Sequence, residues 1–159
     1  MPKLLRDIAD PTAQVLAVNG PDAGRGPGSR LLVAEDADYY AAFGPAVQEA
    51  FTTAPVGSFE GLAVIPAARR QGIGSQLLGA SIRWMAAHGA RSVVLLSWIS
   101  RQASSAGLVV WAGFRAGPTI EEFYLEESTR DGWTCPVCGS PCHCAAQFYW
   151  RPTDAPSRA

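Results

Sequence analysis

Apolar residues fall in short blocks along the chain, and the spacing within each block predicts its element. Gln14-Val15-Leu16-Ala17-Val18 and Arg30-Leu31-Leu32-Val33-Ala34 read as short buried strands, with the Gly- and Pro-rich run GPDAGRGPGS as a loop between them. From Asp36 to Phe51 the composition is helical, and Gly44-Pro45 divides it into two short helices, proline being suited to a first helical turn. Ser58 to Ile65 is strand-like and ends at Pro66, which lacks a ladder donor and restricts the residue before it. Leu77, Leu78, Ile82 and Met85 recur at three- and four-residue spacing, predicting a helix from about Ile73 to His88 with Gly89 as a cap beyond it. Ser92 to Ile99 is apolar on both faces, as a central strand must be. A helix over Ser104 to Ala112 and strands over Thr119 to Leu125 and Gln147 to Trp150 complete the series. Strands alternating with helices predict an α/β sheet with crossover helices.

Composition narrows the picture. With 159 residues, 48% of them hydrophobic and 17% charged, the chain suits one compact domain over residues 1–159. A net charge of −1 and a pI near 6.1 supply no excess of Lys and Arg to attract nucleic acid or anionic lipid, so neither is an expected partner. The opening MPKLLRDIADPTAQ lacks the apolar core of a secretory signal, and no apolar run approaches the roughly 20 residues that span a bilayer. A soluble, cytoplasmic protein is expected.

The segment VIPAARRQGIGSQLL leads a strand through a two-glycine turn into a helix. Helix starts leave N–H groups without helical partners, and the helix dipole favours an anion there. Glycine at 72 and 74 leaves room for phosphate oxygens, and Arg69 and Arg70 add charge-assisted contacts. A plain tight strand-to-helix turn is the alternative reading of the same residues. A dinucleotide fingerprint requires a third glycine where Leu77 stands, and no Gly-Lys-Ser/Thr follows, so neither of the commoner nucleotide motifs fits.

Val64, Pro66, Arg69, Gly72 and Gly74, in that order, resemble the signature of the GNAT acyltransferase superfamily, and the likeness runs from Phe59 to Leu125, including Gly113-Phe114. The resemblance implies a GNAT-like mixed, mostly antiparallel central sheet with helices on both faces. It also implies acyl-coenzyme A as cosubstrate, with the amides of Arg69, Arg70, Gln71, Gly72, Ile73, Gly74 and Ser75 around the pyrophosphate. The backbone of Leu62, Ala63 and Val64 would pair with the pantetheine arm, where this strand splays from the next. The acceptor implied is an amine, on a small molecule or a peptide amino terminus, and members of the family are often dimers. Towards the amino terminus the likeness is loose, because two strand candidates precede the helical stretch here.

Transfer to an amine requires that the amine be neutral, so a base or a water relay must take its proton, and the leaving thiolate gains from an acid. Glu60, four residues before Val64, stands where many members of the family carry such a base; otherwise it is a solvent-facing strand-edge carboxylate. The family's usual acid, a Tyr four residues before Gly-Phe, is replaced by Val109, and the Asn seven residues before it falls on Gln102. Tyr124 is the candidate substitute, ahead of Ser97 and Ser100. His88 suits a helix C-terminus, and Trp98 a core position or the floor of an acyl pocket. A GNAT-like domain without its acid, serving as a non-catalytic interaction module, is the competing reading.

All four cysteines, Cys135, Cys138, Cys142 and Cys144, fall within ten residues. Cys-x-x-Cys-Gly followed by Cys-His-Cys suits a closed four-thiolate Zn²⁺ site better than disulfides, with His143 as a possible replacement for one sulfur. Such a site is structural. Its place, 132–146, predicts a zinc-knuckle insertion between the last two strands that fixes a loop beside the acceptor groove.

Overall fold

The structure is a computed structural model that describes residues 25–26, 29–32, 34–52, 54–59, 61–62, 64, 66–100 and 105–155. The strand expected at 14–18, together with Glu60, Ala63 and Gln102, lies outside the described residues. Strands β1 (Arg25–Gly26) and β2 (Ser29–Leu32) precede a 3₁₀ helix (Ala34–Phe43) and α1 (Pro45–Phe51). Then come β3 (Val56–Phe59), a 3₁₀ turn (Pro66–Ala68), α2 (Ile73–Ala87), β4 (Ser92–Ile99), α3 (Ala106–Trp111), β5 (Arg115–Ile120), α4 (Leu125–Asp131) and β6 (Ala145–Pro152). They form one mixed sheet in the order β1-β2-β3-β4-β6-β5, with β3 and β4 parallel and the other neighbours antiparallel.

Side-chain alternation along β4 divides the core. Val94 points into a cluster with Tyr40, Phe43, Val47, Ala50, Phe148 and Trp150, under the 3₁₀ helix and α1. Val93 and Leu95 point the other way, against Leu78, Ile82 and Met85 of α2 and Val109 of α3. The stripe read from the helical spacing is therefore the one that packs, with Leu78, Ile82 and Met85 buried and Leu77 half-buried at its margin. Helix α2 ends at Ala87 with His88 as its C-cap, and Gly89 follows in the left-handed region at φ 94°, as expected of a cap.

Two expected strands are corrected. The one read over 58–65 is, among the described residues, paired over Val56–Phe59 alone. The one read over 119–125 is displaced, because β5 ends at Ile120 and Leu125 opens a helix instead. Glu122 turns the chain there with φ 52°, and Glu126 and Glu127 in the first turn with Arg130 in the last complement the helix dipole. The β-forming Phe123 and Tyr124 that suggested a strand pack instead as side chains, Phe123 against Phe43 at 5.1 Å between ring centroids.

Gly57 in β3 lies under α2, where an added Cβ would stand 2.4 Å from Met85 Sδ and 3.0 Å from its Cβ. Only a hydrogen fits there. Gly57→Ala is expected to destabilise the fold by about 1–3 kcal/mol through overpacking. Urea denaturation measures it, and a loss below about 0.5 kcal/mol would contradict this helix-to-sheet spacing.

Candidate active site and cysteine centre

The pairing of β3 with β4 runs from Val56 opposite Ser92 to Phe59 opposite Leu95. Beyond that point β4 continues to Ile99 with β6 alone, and among the described residues none after Phe59 pairs with it on the other side. A gap therefore opens between Leu96–Ile99 and the chain at Gly61, Leu62 and Val64. Backbone groups along such a gap are open to an extended ligand.

At the far end of that chain stands the turn into α2. Arg70 has φ 63° and Gly72, the N-cap of α2, φ 76°, with no side chain capping the helix. Backbone of alternating handedness turns successive N–H groups to one side, the shape of an anion cradle. The first amide of the segment that bonds back is Gln76, to the Gly72 carbonyl at 3.0 Å. The amides of Ile73, Gly74 and Ser75 belong to the first turn, which has no carbonyl one turn earlier to accept them, and no loop hydrogen bond among the described residues takes them.

The side chains differ in part from the expectation. Arg69 Nε donates to the Val64 carbonyl at 3.0 Å and Gln71 Nε2 to the Ala67 carbonyl at 3.3 Å, so both brace the turn itself. The two glycines serve different ends. Gly72 supplies a positive φ, whereas a Cβ on Gly74 would face Leu108 at 3.5 Å, Leu62 at 3.6 Å and Val64 at 4.0 Å, the apolar packing behind the turn.

Val109 is buried in the core between α3 and the sheet. Ser97, on the same face, is also buried, and its hydroxyl shares a hydrogen bond of 2.9 Å with Ser105 at the start of α3. Tyr124 is elsewhere. It N-caps α4 and packs on the cysteines, where burial, with Tyr39 and Glu127 adding to it, holds its hydroxyl far above the ordinary tyrosine range.

The four cysteine sulfurs lie within 4.8 Å of one another, in the connection between β5 and β6, and Cys135, Cys142 and Cys144 are buried. Cys138 Sγ is 3.7 Å from Cys142 Sγ and 3.6 Å from Cys144 Sγ, and Cys135 Sγ is 3.9 Å from Cys144 Sγ. All four thiols are free, and these separations are far beyond the ~2.05 Å of a disulfide. The backbone N–H groups of Val137 and His143 reach Cys135 Sγ and Cys138 Sγ, each at 3.4 Å. The His143 amide lowers the Cys138 thiol to about 7, and burial pushes the Cys142 thiol up to about 12. His143 is not one of the clustered groups; its Nδ1 meets Glu122 Oε1 at 2.7 Å instead. Trp98, Tyr124, Trp133 and Val137 pack against the cluster. Neither the packing of Trp98 on the cysteines nor the Ser97–Ser105 pair was evident from sequence, because each joins residues brought together only by folding.

Comparison with known proteins agrees with this geometry. The family model described as Acetyltransferase (GNAT) family matches residues 8–108, and the chain belongs to that family. No curated protein sequence matches. Among solved structures, Arabidopsis thaliana NAA60 in complex with a bisubstrate analogue is 14% identical with a TM-score of 0.55, over 78% of this chain and 61% of that one. The same protein in complex with acetyl-CoA is 14% identical with a TM-score of 0.56, over 89% and 74%. An agmatine N-acetyltransferase mutant is 18% identical with a TM-score of 0.52, over 78% and 66%. These likenesses show the GNAT fold. The chain spans about three fifths of the first of these structures. No helix among the described residues is long and apolar enough to cross a membrane.

The different duties of the two glycines separate by substitution. Gly72→Ala, at a φ of 76°, is expected to cost about 1–2 kcal/mol. Gly74→Ala, with contacts of 3.5 Å or more inside a helix, is expected to be neutral or to stabilise by up to about 1 kcal/mol. Thermal melting of both variants decides it; equal losses would contradict the assignment.

Proposed function

We propose that this chain transfers an acetyl or other short acyl group from its coenzyme A thioester to an amine. The observation that carries the reading is the alignment of two features: a strand edge at the β3–β4 gap and first-turn amides at Ile73, Gly74 and Ser75, neither with a partner among the described residues. The amides of residues 69–75 take the pyrophosphate, with Arg70 and a guanidinium nitrogen of Arg69 adding charge. The backbone at Leu62, Ala63 and Val64 pairs with the pantetheine arm. Apolar Leu62, Val64 and Leu108 keep the turn rigid from behind.

The reaction runs by direct attack of a neutral amine on the thioester carbon, with the C–N bond forming as the C–S bond breaks. Glu60 takes the amine proton, directly or through a water, which is worth about 10²–10⁴-fold in rate for a well-placed base. Val109 has no proton to give, and Tyr124 packs on the cysteine centre, so in this reading the thiolate leaves without a tyrosine. Ser97, on the gap end of β4 and paired with Ser105, is the described hydroxyl best placed to accompany it. Zn²⁺ on the four thiolates is structural in this reading, since a closed tetrahedron has no position left for substrate. The acceptor is an amine on a small molecule or a peptide terminus. We place the protein in the cytoplasm, as a monomer or homodimer acting without nucleic acid or membrane.

Thiol release from acetyl-coenzyme A, measured against a panel of amines, tests the reaction. Turnover with at least one amine is expected, and Glu60→Gln should lower kcat/KM by about 10²-fold or more. A thermal shift with coenzyme A should vanish in Gly72→Val. A retained shift with no turnover on any amine would instead support the non-catalytic module that the loss of the family's acid at Val109 suggests.

A further inference from the structure

We infer that Cys135, Cys138, Cys142 and Cys144 hold one Zn²⁺ in a tetrahedron, and that this ion supplies the folding energy of the segment from Leu125 to Cys144, beyond the core-packed Phe123 and Tyr124. The inference does not depend on the acyl-transfer reading. Zinc with Zn–S bonds of about 2.3 Å places its sulfurs about 3.8 Å apart at the corners of a tetrahedron. The sulfur separations of 3.6, 3.7 and 3.9 Å bracket that value. The surroundings suit thiolates. Val137 and His143 aim backbone N–H groups at two of the sulfurs, and Cys135 and Gly139 close the first knuckle with reciprocal backbone bonds of 2.9 and 3.0 Å. His143 is held by Glu122, so the donor set is four sulfurs, which selects a soft, tetrahedral ion.

The dependence of the segment on the ion follows from what it otherwise buries. Helix α4 has seven residues, too few to be stable by itself, and its one buried side chain is Ser128. Ser128 is a link to the cysteines rather than an apolar anchor. Its Oγ donates to the Leu125 carbonyl at 3.0 Å and accepts the backbone N–H of Cys142 at 2.8 Å. Trp133 and Val137 pack on the cysteines themselves. With the ion gone, α4 loses the loop to which it is bonded, and four polarisable thiols without a charge to coordinate replace a centre that binds as it folds.

The centre also reaches the gap. Cys144 precedes Ala145, which pairs with Ile99 at the open end of β4, and Trp98 of the same strand packs against the cysteine cluster.

The test uses the full chain without an affinity tag, produced with zinc chloride in the medium. Native mass spectrometry of the wild type is expected to show one zinc per chain, and Cys142→Ser and the exposed Cys138→Ser to show none. Limited proteolysis after chelation should open new cleavage sites within 125–144 and spare α2 and β4. The coenzyme A thermal shift should survive chelation, so failure of the metal assignment and failure of the acyltransferase reading are distinguishable. A zinc-free wild type, or a mass 4 Da low from two disulfides, would overturn the site. Zinc bound with an unchanged cleavage pattern after its removal would overturn its role in folding.

Discussion

The structure depends on a parallel pairing that stops early. Four residue pairs among the described residues, Val56–Ser92 to Phe59–Leu95, join the halves of the sheet, and β4 runs four residues further without the described Gly61, Leu62 or Val64 pairing to it. A parallel ladder that continued would satisfy those backbone groups and leave nothing for a ligand. Both faces of the join are covered, by the 3₁₀ helix and α1 on one side and by α2 and α3 on the other. Separation is therefore a defined wedge within a packed core. The chain that leaves the wedge passes through Val64 and Pro66 to the turn at Gly72, so the strand edge and the helix start open in succession along one path.

Much of this could be read in the sequence because it is written in local signals. Pro66, Gly72 and the stripe on α2 marked the strand end, the turn and the buried helix face, and each is a constraint that a few neighbouring residues impose. The wedge was less legible, since the end of a ladder depends on a partner some thirty-five residues away. Gly74 shows another limit. A glycine next to a helix start suggested room for phosphate, but its role turns on where the missing Cβ would point, and here it points at Leu62 and Leu108. The strand expected over 119–125 ends at Ile120, because Phe123 and Tyr124 carry β propensity but Glu122 in the left-handed region turns the chain before them, and the Ser128–Cys142 bond fixes the helix that follows.

The cysteine centre is an addition to this frame. It lies in the connection between β5 and β6, at the end of the sheet where β4 pairs on one side alone among the described residues, and Trp98 of β4 packs against it. Tyr124, read as a proton donor, is part of the wall of that centre.

Amide hydrogen exchange with and without coenzyme A examines the wedge and the cradle together. Protection on binding is expected at 61–64 and at 72–75, with little change in α4 or the cysteine loop. Exchange that is unaltered in both segments, or slowed only at the sheet's far edge along β5, would show that the parting of β3 and β4 is not a binding site.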